Sequence, residues 1–415
     1  KAWSAKWLEE SGINTIATEV EENADGTIAS LTLNQTAPAE HPVLRPHRLA
    51  VGFYDEDPAT GKIVRTDRFE LDVDGESTVV AAAAGKKRPA FILVNDDDLT
   101  YTKLRFDADS LSFALANLQR FDDALARAVV WLSLWDMTRD GDLAAEKFID
   151  TTLALLATET ESTTFRYALS CMSTTAWHYT APDRRADVVK HIAKELWKLV
   201  IAAPGGSDQQ FQLVTAYLGY GEEGDAEFAE HAQGLFDGSL IVAGLEIDNN
   251  FTWTIINALS SVKLIDQAGI DAQLAKRDTT ENREFALGAH AVRGDAAAKE
   301  WAWNEALNNA DLTNMQLEAV ARGFGATPRP DLAEPYAAKY YDVVDWVWKN
   351  KSFHMAEALL EGLYPYYADP ATLVELGHRW LTDHEDADNA LKRIVRGNVE
   401  SSQRTLKVRD FNAAL

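Results

Sequence analysis

The sequence predicts an α+β multidomain protein, in which a small antiparallel β-sandwich precedes a large all-α domain. The first observation is an alternation of apolar and polar residues, as in residues 27–33 (TIASLTL), that recurs between turn signals up to about residue 96. The second is a change of period after residue 98, where Leu125, Val129 and Leu132 recur at helical spacing. Short alternating runs of this kind indicate a sandwich of about seven strands.

The expected domain boundaries follow from these changes of period. Residues 1–12 are expected to end a helix, with Trp3 and Trp7 one turn apart and Gly12 as its stop. The sandwich is expected over 13–96 and the helical domain over 97–415. Roughly 300 residues of successive helices exceed a single bundle, so a HEAT-like superhelical α-α solenoid is expected.

Composition excludes several classes of protein. The chain has 40 Lys and Arg against 65 Asp and Glu, a net charge of −25, which disfavours nucleic acid as a partner. No apolar run approaches a membrane span. Cys171 is the single cysteine, so a disulfide within the chain is impossible, and we expect a cytoplasmic protein. The chain starts without Met and within a helical pattern, so we expect it to be a piece of a longer protein.

A run of four polar residues follows the apolar segment 91–94 (FILV). It lacks the central Gly and the spacing of a calcium loop, so we expect it to bind backbone groups at a domain junction rather than to hold a metal. Its members are Asn95, Asp96, Asp97 and Asp98.

A second acidic group lies at residues 135–142 (WDMTRDGD). An EF-hand that starts at Asp136 would need Glu at position twelve, where Lys147 stands. We therefore expect a helix that ends at Gly141 and an N-cap at Asp142. A docking patch for a neighbouring domain stays open as a further interpretation, with Asp136, Arg139 and Asp140 as its members.

The sequence motifs of common hydrolases do not occur. There is no His-Glu-x-x-His pair and no Gly-x-Ser-x-Gly elbow. The GYGEEG stretch at 219–224 follows a helical pattern and carries two glutamates, so it does not predict a nucleotide site. We therefore expect no catalytic residue, metal ligand or cofactor site in this chain, although sequence alone leaves open a hydrolase with dispersed carboxylates.

The C-terminal segment reverses the overall charge. Between 390 and 410 the basic residues are Lys392, Arg393, Arg396, Arg404, Lys407 and Arg409, against Glu400 and Asp410. One interpretation is pairing of a basic helix with an acidic body. The other is a basic patch that binds a carboxylate, such as the C-terminus of a peptide.

Four segments in order resemble the C-terminal half of zinc aminopeptidases of the aminopeptidase N family, the bacterial members most closely. They are residues 3–15 (WSAKWLEESGINT), 44–52 (LRPHRLAVG), 95–103 (NDDDLTYTK) and 125–141 (LARAVVWLSLWDMTRDG). The family's Gly-x-Met-Glu-Asn and His-Glu-x-x-His motifs are absent here, so no catalytic or zinc-binding residue is carried over.

The resemblance implies a non-catalytic region of an enzyme that removes N-terminal residues from peptides. Zinc would belong to the intact enzyme, and the partners would be a missing N-terminal catalytic domain and peptide substrates. The helical domain, residues 97–415, would form a bowl that encloses the active site, limits access to it and binds the peptide tail. The alternative is a stand-alone helical scaffold or adaptor that binds protein or peptide.

Overall fold

The computed structural model describes residues 2–415, so the expected start of the first helix at Lys1 lies outside the described residues. Helix α1 is Ala2–Leu8, and Gly12 follows it with φ 91°. The indole of Trp7 donates to the carbonyl of Pro46 (3.2 Å), which attaches this helix to the β region.

Residues 2–415 contain seven strands, the number that the alternation predicts. They are β1 (Thr15–Glu22), β2 (Ile28–Thr36), β3 (His47–Glu56), β4 (Ile63–Val73), β5 (Ser77–Val79), β6 (Phe91–Val94) and β7 (Lys103–Arg105).

The strands form two sheets, in the orders β5-β2-β1-β7 and β4-β3-β6. All pairings are antiparallel except β1 with β7, which is parallel. Strand β6 is buried along its whole length, as its unbroken apolar sequence suggests. Strand β7 joins the first sheet from beyond residue 96, so the β region continues past the expected boundary.

The remaining elements are helical. The first group is α2 (Ala108–Asn117), α3 (Ala124–Asp140), α4 (Ala145–Leu156), α5 (Ser162–Thr174), a π-helical turn (Thr175–Tyr179), α6 (Arg185–Ala202), α7 (Asp208–Leu218), α8 (Ala226–Asp237) and α9 (Asn249–Ser261). The second group is α10 (Gln267–Lys276), α11 (Thr280–Ala291), α12 (Ala296–Asn308), α13 (Asn314–Gly325), α14 (Pro330–Ala333), α15 (Ala337–Asn350), α16 (Phe353–Gly362), α17 (Pro370–Asp383) and α18 (Asn389–Ala413).

The chain divides between Ser173 and Thr174 into two compact units. The first holds the two sheets and α1–α5, and the second runs from Thr174 to Ala414. The predicted order, a small two-sheet region followed by a large helical part, is confirmed. The boundaries at 12 and 96 stay predictions.

Each unit has its own apolar interior. In the first, Trp131 of α3 is 1% exposed and packs against Phe148 of α4, with ring centroids 5.8 Å apart. In the second, one cluster extends from Ala291 to Val399 and includes the fully buried Tyr340 and Tyr364. Burial of such aromatic side chains contributes to the stability of each unit.

Two further findings bear on composition. None of the helices within residues 2–415 is both long enough and apolar enough to span a bilayer. Cys171 is buried, and burial raises the pKa of its thiol to about 12.

Candidate functional site

Residues 95–98 turn the chain at the end of β6. Asn95, Asp97 and Asp98 have φ values of 59°, 67° and 51°, a left-handed conformation that Asn and Asp adopt more readily than most residues. The Asn95 side chain donates to the carbonyl of Thr100 (2.8 Å) and accepts from its N–H (3.0 Å). The amide thereby provides the backbone partners that the turn lacks.

Asp96 is a buried carboxylate with two strong donors. Its Oδ1 accepts from the Tyr54 hydroxyl at 2.6 Å, and its Oδ2 accepts from Nη1 of Arg65 at 2.7 Å. Residue 52 must be Gly, since a Cβ there would lie 2.5 Å from Oδ2 of Asp96. Burial, together with the bond to Asp96, raises the pKa of the Tyr54 hydroxyl. No pattern in the sequence indicates this arrangement, because its members are far apart in the chain.

Asp97 binds two arginines of β4. Nη1 of Arg65 lies 2.8 Å from its Oδ1, and Nε of Arg68 lies 2.8 Å from its Oδ2. The hydrogen bond from Arg65, and then that from Arg68, holds the pKa of Asp97 below its ordinary value despite partial burial. Residues 96 and 97 thus attach the end of β6 to β4 inside the first unit.

The end of α3 has a similar polar cluster. Asp140 accepts from Nζ of Lys103 (2.7 Å) and from Nη2 of Arg105 (2.5 Å), both on β7. Burial would raise the pKa of Asp140, but the bonds from Lys103 and Arg105 outweigh it and lower that pKa. Gly141 ends the helix as predicted, with φ 75°.

The predicted N-cap at Asp142 is wrong. Asp142 binds Nε of Arg105 (2.8 Å), and the residue before α4 is Ala144, which has no side-chain cap. An N-cap can be predicted from local sequence alone. The ion pair of Asp142 with Arg105 cannot, because Arg105 lies 37 residues away on β7.

The other two residues of the expected docking patch are half-buried. Burial raises the pKa of Asp136, against the charges of Lys103 and Arg139. The Arg139 guanidinium lies 5.6 Å from the centre of the Trp135 ring. Docking of a neighbouring domain at Asp136, Arg139 and Asp140 stays a prediction, and Asp140 is already bound within the chain.

Helix α18 carries the basic residues of the C-terminal segment on different sides. Arg393, Arg396 and Lys407 are exposed, whereas Lys392, Arg404 and Arg409 are half-buried. Nζ of Lys392 donates to the carbonyl of Glu385 (2.8 Å), and Nη2 of Arg393 lies 3.9 Å from Glu357. The six basic side chains could form a single patch only if they lay on one face of the helix. Peptide binding by the whole set stays a prediction.

Arg409 contacts the π-helical turn. Its Nε donates to the carbonyl of His178 at 2.7 Å, and the His178 ring stacks on Tyr367, with centroids 4.9 Å apart. Burial and the charge of Arg185 lower the pKa of Arg409 to about 10. Burial, with the charges of Arg409 and Arg185, lowers the pKa of His178 to about 3, so its ring is neutral at pH 7.

Arg185, the first residue of α6, is a buried cation that sequence reasoning missed. It is 9% exposed, and within residues 2–415 its Nε and Nη2 have no hydrogen-bond partner. Burial lowers its pKa. The available signal was the pair Arg184–Arg185 before a helix, but a pair of arginines usually lies at the surface.

Two clefts lie on the second unit and share Arg322 and Ala326. One has a volume of about 560 Å³ and is bordered by three carboxylates, those of Glu318, Glu357 and Glu361. The other has a volume of about 400 Å³ and a more apolar lining that includes Phe285. The first cleft also has Arg322 and His354 in its lining, and the second also has Glu284.

No group of three or more His, Cys, Asp or Glu side chains that could hold a metal ion occurs within residues 2–415. The described side chains therefore do not fit the zinc that the resemblance implies for the intact enzyme. No step of zinc chemistry is assigned to them.

Together, the two sheets, the long helical part and the polar clefts define a multidomain α+β protein with a large helical domain. Residues 91–404 match the family model described as the ERAP1-like C-terminal domain, and the chain belongs to this family. It is also similar to an aminopeptidase N of Streptomyces lividans, with 34% identity over 420 residues. The match covers the whole of this chain and 48% of that protein, so the chain spans about half the length of this relative.

Proposed function

We propose that this chain is the non-catalytic C-terminal region of a zinc aminopeptidase that removes N-terminal residues from peptides. The observation that carries the proposal is the 34% identity, along the whole chain, to an aminopeptidase N. Zinc and the catalytic motifs would reside in an N-terminal catalytic domain of the same protein. The helical part, as a HEAT-like superhelix, would enclose the active site of a cytoplasmic enzyme and limit the peptides that reach it.

The two clefts are the proposed peptide-binding surface. Their lining combines apolar contact at Phe285 with the carboxylates of Glu318, Glu357 and Glu361, next to Arg322. Peptide sites commonly combine apolar contact with a few charged groups that fix orientation. Gly325 and Gly362 border the larger cleft because α13 and α16 pack closely there: a Cβ at residue 325 would lie 2.6 Å from the carbonyl oxygen of Gly362.

A chimaera tests this function. Residues 1–415 would replace the matching segment of the Streptomyces relative, and hydrolysis of an amino-acid anilide and of a ten-residue peptide would be measured. We expect anilide hydrolysis by the chimaera and none by residues 1–415 alone. Removal of residues 174–415 from the chimaera should change the ratio of the two rates, because access to the active site would no longer be limited.

Two results would contradict the proposal. The first is anilide turnover by residues 1–415 alone that persists after repeated purification. The second is an unchanged ratio after removal of residues 174–415 from a chimaera that still folds, as judged by circular dichroism. A stand-alone scaffold would give an inactive chimaera although both of its parts fold.

A further inference from the structure

One of the sulfur-containing side chains differs from the others in its exposure. The chain has four methionines and one cysteine. Met137, Met172 and Met355 are 4%, 0% and 4% exposed, and Cys171 is buried as well. Met315 is 53% exposed. An oxidant that comes from solution therefore reaches the thioether of Met315 far more readily than the other four sulfur atoms.

Cys171 does not compete for such an oxidant. A cysteine reacts with peroxide as the thiolate, so its reactivity depends on its pKa and on its exposure. Burial raises the pKa of the Cys171 thiol to about 12, and the thiol therefore stays protonated at pH 7. The side chain is also only 3% exposed. The sulfur chemistry of the chain with soluble oxidants is thereby left to Met315.

Met315 lies at a place where a change of polarity has a local effect. It is the second residue of α13 and borders the cleft of about 400 Å³. Ala319 and Arg322 of the same helix border this cleft too, at spacings of four and seven residues that put all three on one face. Phe285 of α11 lies in the same lining. An apolar thioether thus forms part of the more apolar of the two clefts.

The start of α13 does not depend on the Met315 side chain. Thr313 and Gln316 form a capping box, in which each side chain bonds to the backbone of the other residue. The apolar side of the helix packs through Leu317 and Val320, which are 5% and 0% exposed. A chemical change at Met315 therefore leaves the helix and its packing in place.

We propose that Met315 is a reversible oxidation site, at which hydrogen peroxide converts the thioether to the sulfoxide and makes the surrounding cleft more polar. A lone pair of the sulfur attacks one peroxide oxygen, the O–O bond breaks and an S=O bond forms. The proton of the attacked oxygen passes to the departing hydroxide, which leaves as water. The sulfur loses two electrons and the peroxide gains them. The product oxygen is a strong hydrogen-bond acceptor that the thioether lacks.

The reverse reaction requires a methionine sulfoxide reductase and a dithiol. Two thiols become one disulfide, and the sulfoxide oxygen leaves as water. The site goes beyond the proposed function and does not depend on it, because its evidence is the exposure of the sulfur and its place in the cleft.

Timed oxidation of the 415-residue chain tests the proposal. The chain is treated with hydrogen peroxide at pH 7 and digested, and mass spectrometry gives the rate of oxidation at each methionine. Met315→Leu removes the exposed thioether. Leu317→Met is the matched control, since it places a thioether two residues away on the buried side of the same helix.

We expect Met315 to be oxidised about tenfold faster, or more, than Met137, Met172 and Met355, while Cys171 stays unmodified. The two reductases that act on the two sulfoxide epimers should remove the added oxygen. The Tm of the oxidised chain should change by less than about 2 °C, because an exposed side chain contributes little to stability.

The two variants and NMR spectra give further expected results. Met315→Leu should abolish the fast reaction, and the methionine introduced by Leu317→Met should react as slowly as the buried ones. In methyl NMR spectra, oxidation of wild type should shift the signals of Val292 and Ala319, which border the cleft, and leave that of the core residue Ala356 unchanged.

Four results would overturn the proposal. They are equal rates at Met315 and at the buried methionines, oxidation that occurs only together with loss of the near-UV circular dichroism, no restoration by the reductases, and unshifted cleft signals. If Leu317→Met does not fold, the three buried methionines of wild type still serve as the control. None of these measurements uses the chimaera or a peptide, so this proposal and the proposed function fail separately.

Discussion

The hydroxyl of Tyr54 on β3 donates a 2.6 Å hydrogen bond to Asp96, which is 1% exposed. Because Asp96 also binds Arg65 of β4, one carboxylate joins the end of β6 to both other strands of its sheet. The polar run after β6 therefore has its main partners inside the β region.

Replacement of Asp96 by Ala should lower the free energy of unfolding by about 2–4 kcal/mol, because it leaves the buried Tyr54 hydroxyl without its acceptor and Arg65 without one of its carboxylates. Urea unfolding monitored by far-UV circular dichroism measures the change. Asp72→Ala is the control, since Asp72 contacts Arg48 on an exposed surface and should cost under about 1 kcal/mol. Equal effects of the two variants would refute this account of the turn.

Gly52→Ala should destabilise the first unit by about 1–3 kcal/mol, because the added Cβ would overlap the Asp96 carboxylate. In the double variant Gly52→Ala/Asp96→Ala the overlap with the carboxylate is removed, and that with Cε2 of the Tyr54 ring (2.8 Å) remains. The double variant should therefore be more stable than the sum of the single effects predicts, and urea unfolding of all three measures this coupling. Simple additivity would show that the glycine is not required by Asp96.

The burial of Lys299 in α12 should make the free energy of unfolding depend on pH. Its Nζ donates to the carbonyls of Ala291, Gly323 and Phe324 and to the Thr327 hydroxyl. Burial lowers its pKa from 10.5 to about 7, against the opposing charge of Asp295. Between pH 7 and 10.5 the unfolded chain binds more protons at this residue than the folded chain does, so its contribution to stability rises with pH in that window.

The measurement compares wild type with Lys299→Met by urea unfolding at pH 6, 7 and 9. Relative to the variant, wild type should gain stability between pH 7 and 9, at up to about 1.4 kcal/mol per pH unit. Between pH 6 and 7 the difference should change much less. A difference that is constant from pH 6 to 9 would show that Lys299 keeps its ordinary titration.

Glu357→Gln/Glu361→Gln should weaken the binding of a lysine-containing peptide to the 415-residue chain. Both residues border the larger cleft, and about two- to fivefold is expected for each partly exposed charge that is removed. Fluorescence anisotropy of a labelled peptide gives the Kd, with a norleucine-for-lysine peptide as the second ligand. Glu375→Gln, on the exposed side of α17, is the control and should have no effect.

Although β3 is buried on both faces from Leu49 to Tyr54, β2 was predictable because its alternation of residue types matches an alternation of buried and less buried positions. Strand β7 was not, since three residues carry no period and its pairing with β1 spans almost ninety positions. The same limit applied to α3, where Leu125 and Leu132 are 46% and 41% exposed although their spacing indicated a buried stripe. That helix is apolar on most sides, so periodicity does not identify the packed face.

The candidate sites were less predictable than the fold. Residues 95–98 and 136–142 stood out because acidic runs are visible in a sequence, but their arginine and lysine partners lie 29 to 37 residues away. Arg185 and Lys299 did not stand out, because burial of a cation depends on several distant segments that pack around it. Local propensity carries no information on such contacts.

The contact between Arg409 and the π-helical turn joins residues that are 231 positions apart. A stack of helices that touch only their neighbours in sequence can lose structure from one end while the rest persists. Here α18, the last helix, packs against the π-helical turn near the start of the same unit. Contacts between segments so far apart in sequence raise the contact order and slow folding. Removal of the last few residues should therefore destabilise both the first and the last segments of residues 174–414. We expect this unit to unfold in one cooperative transition.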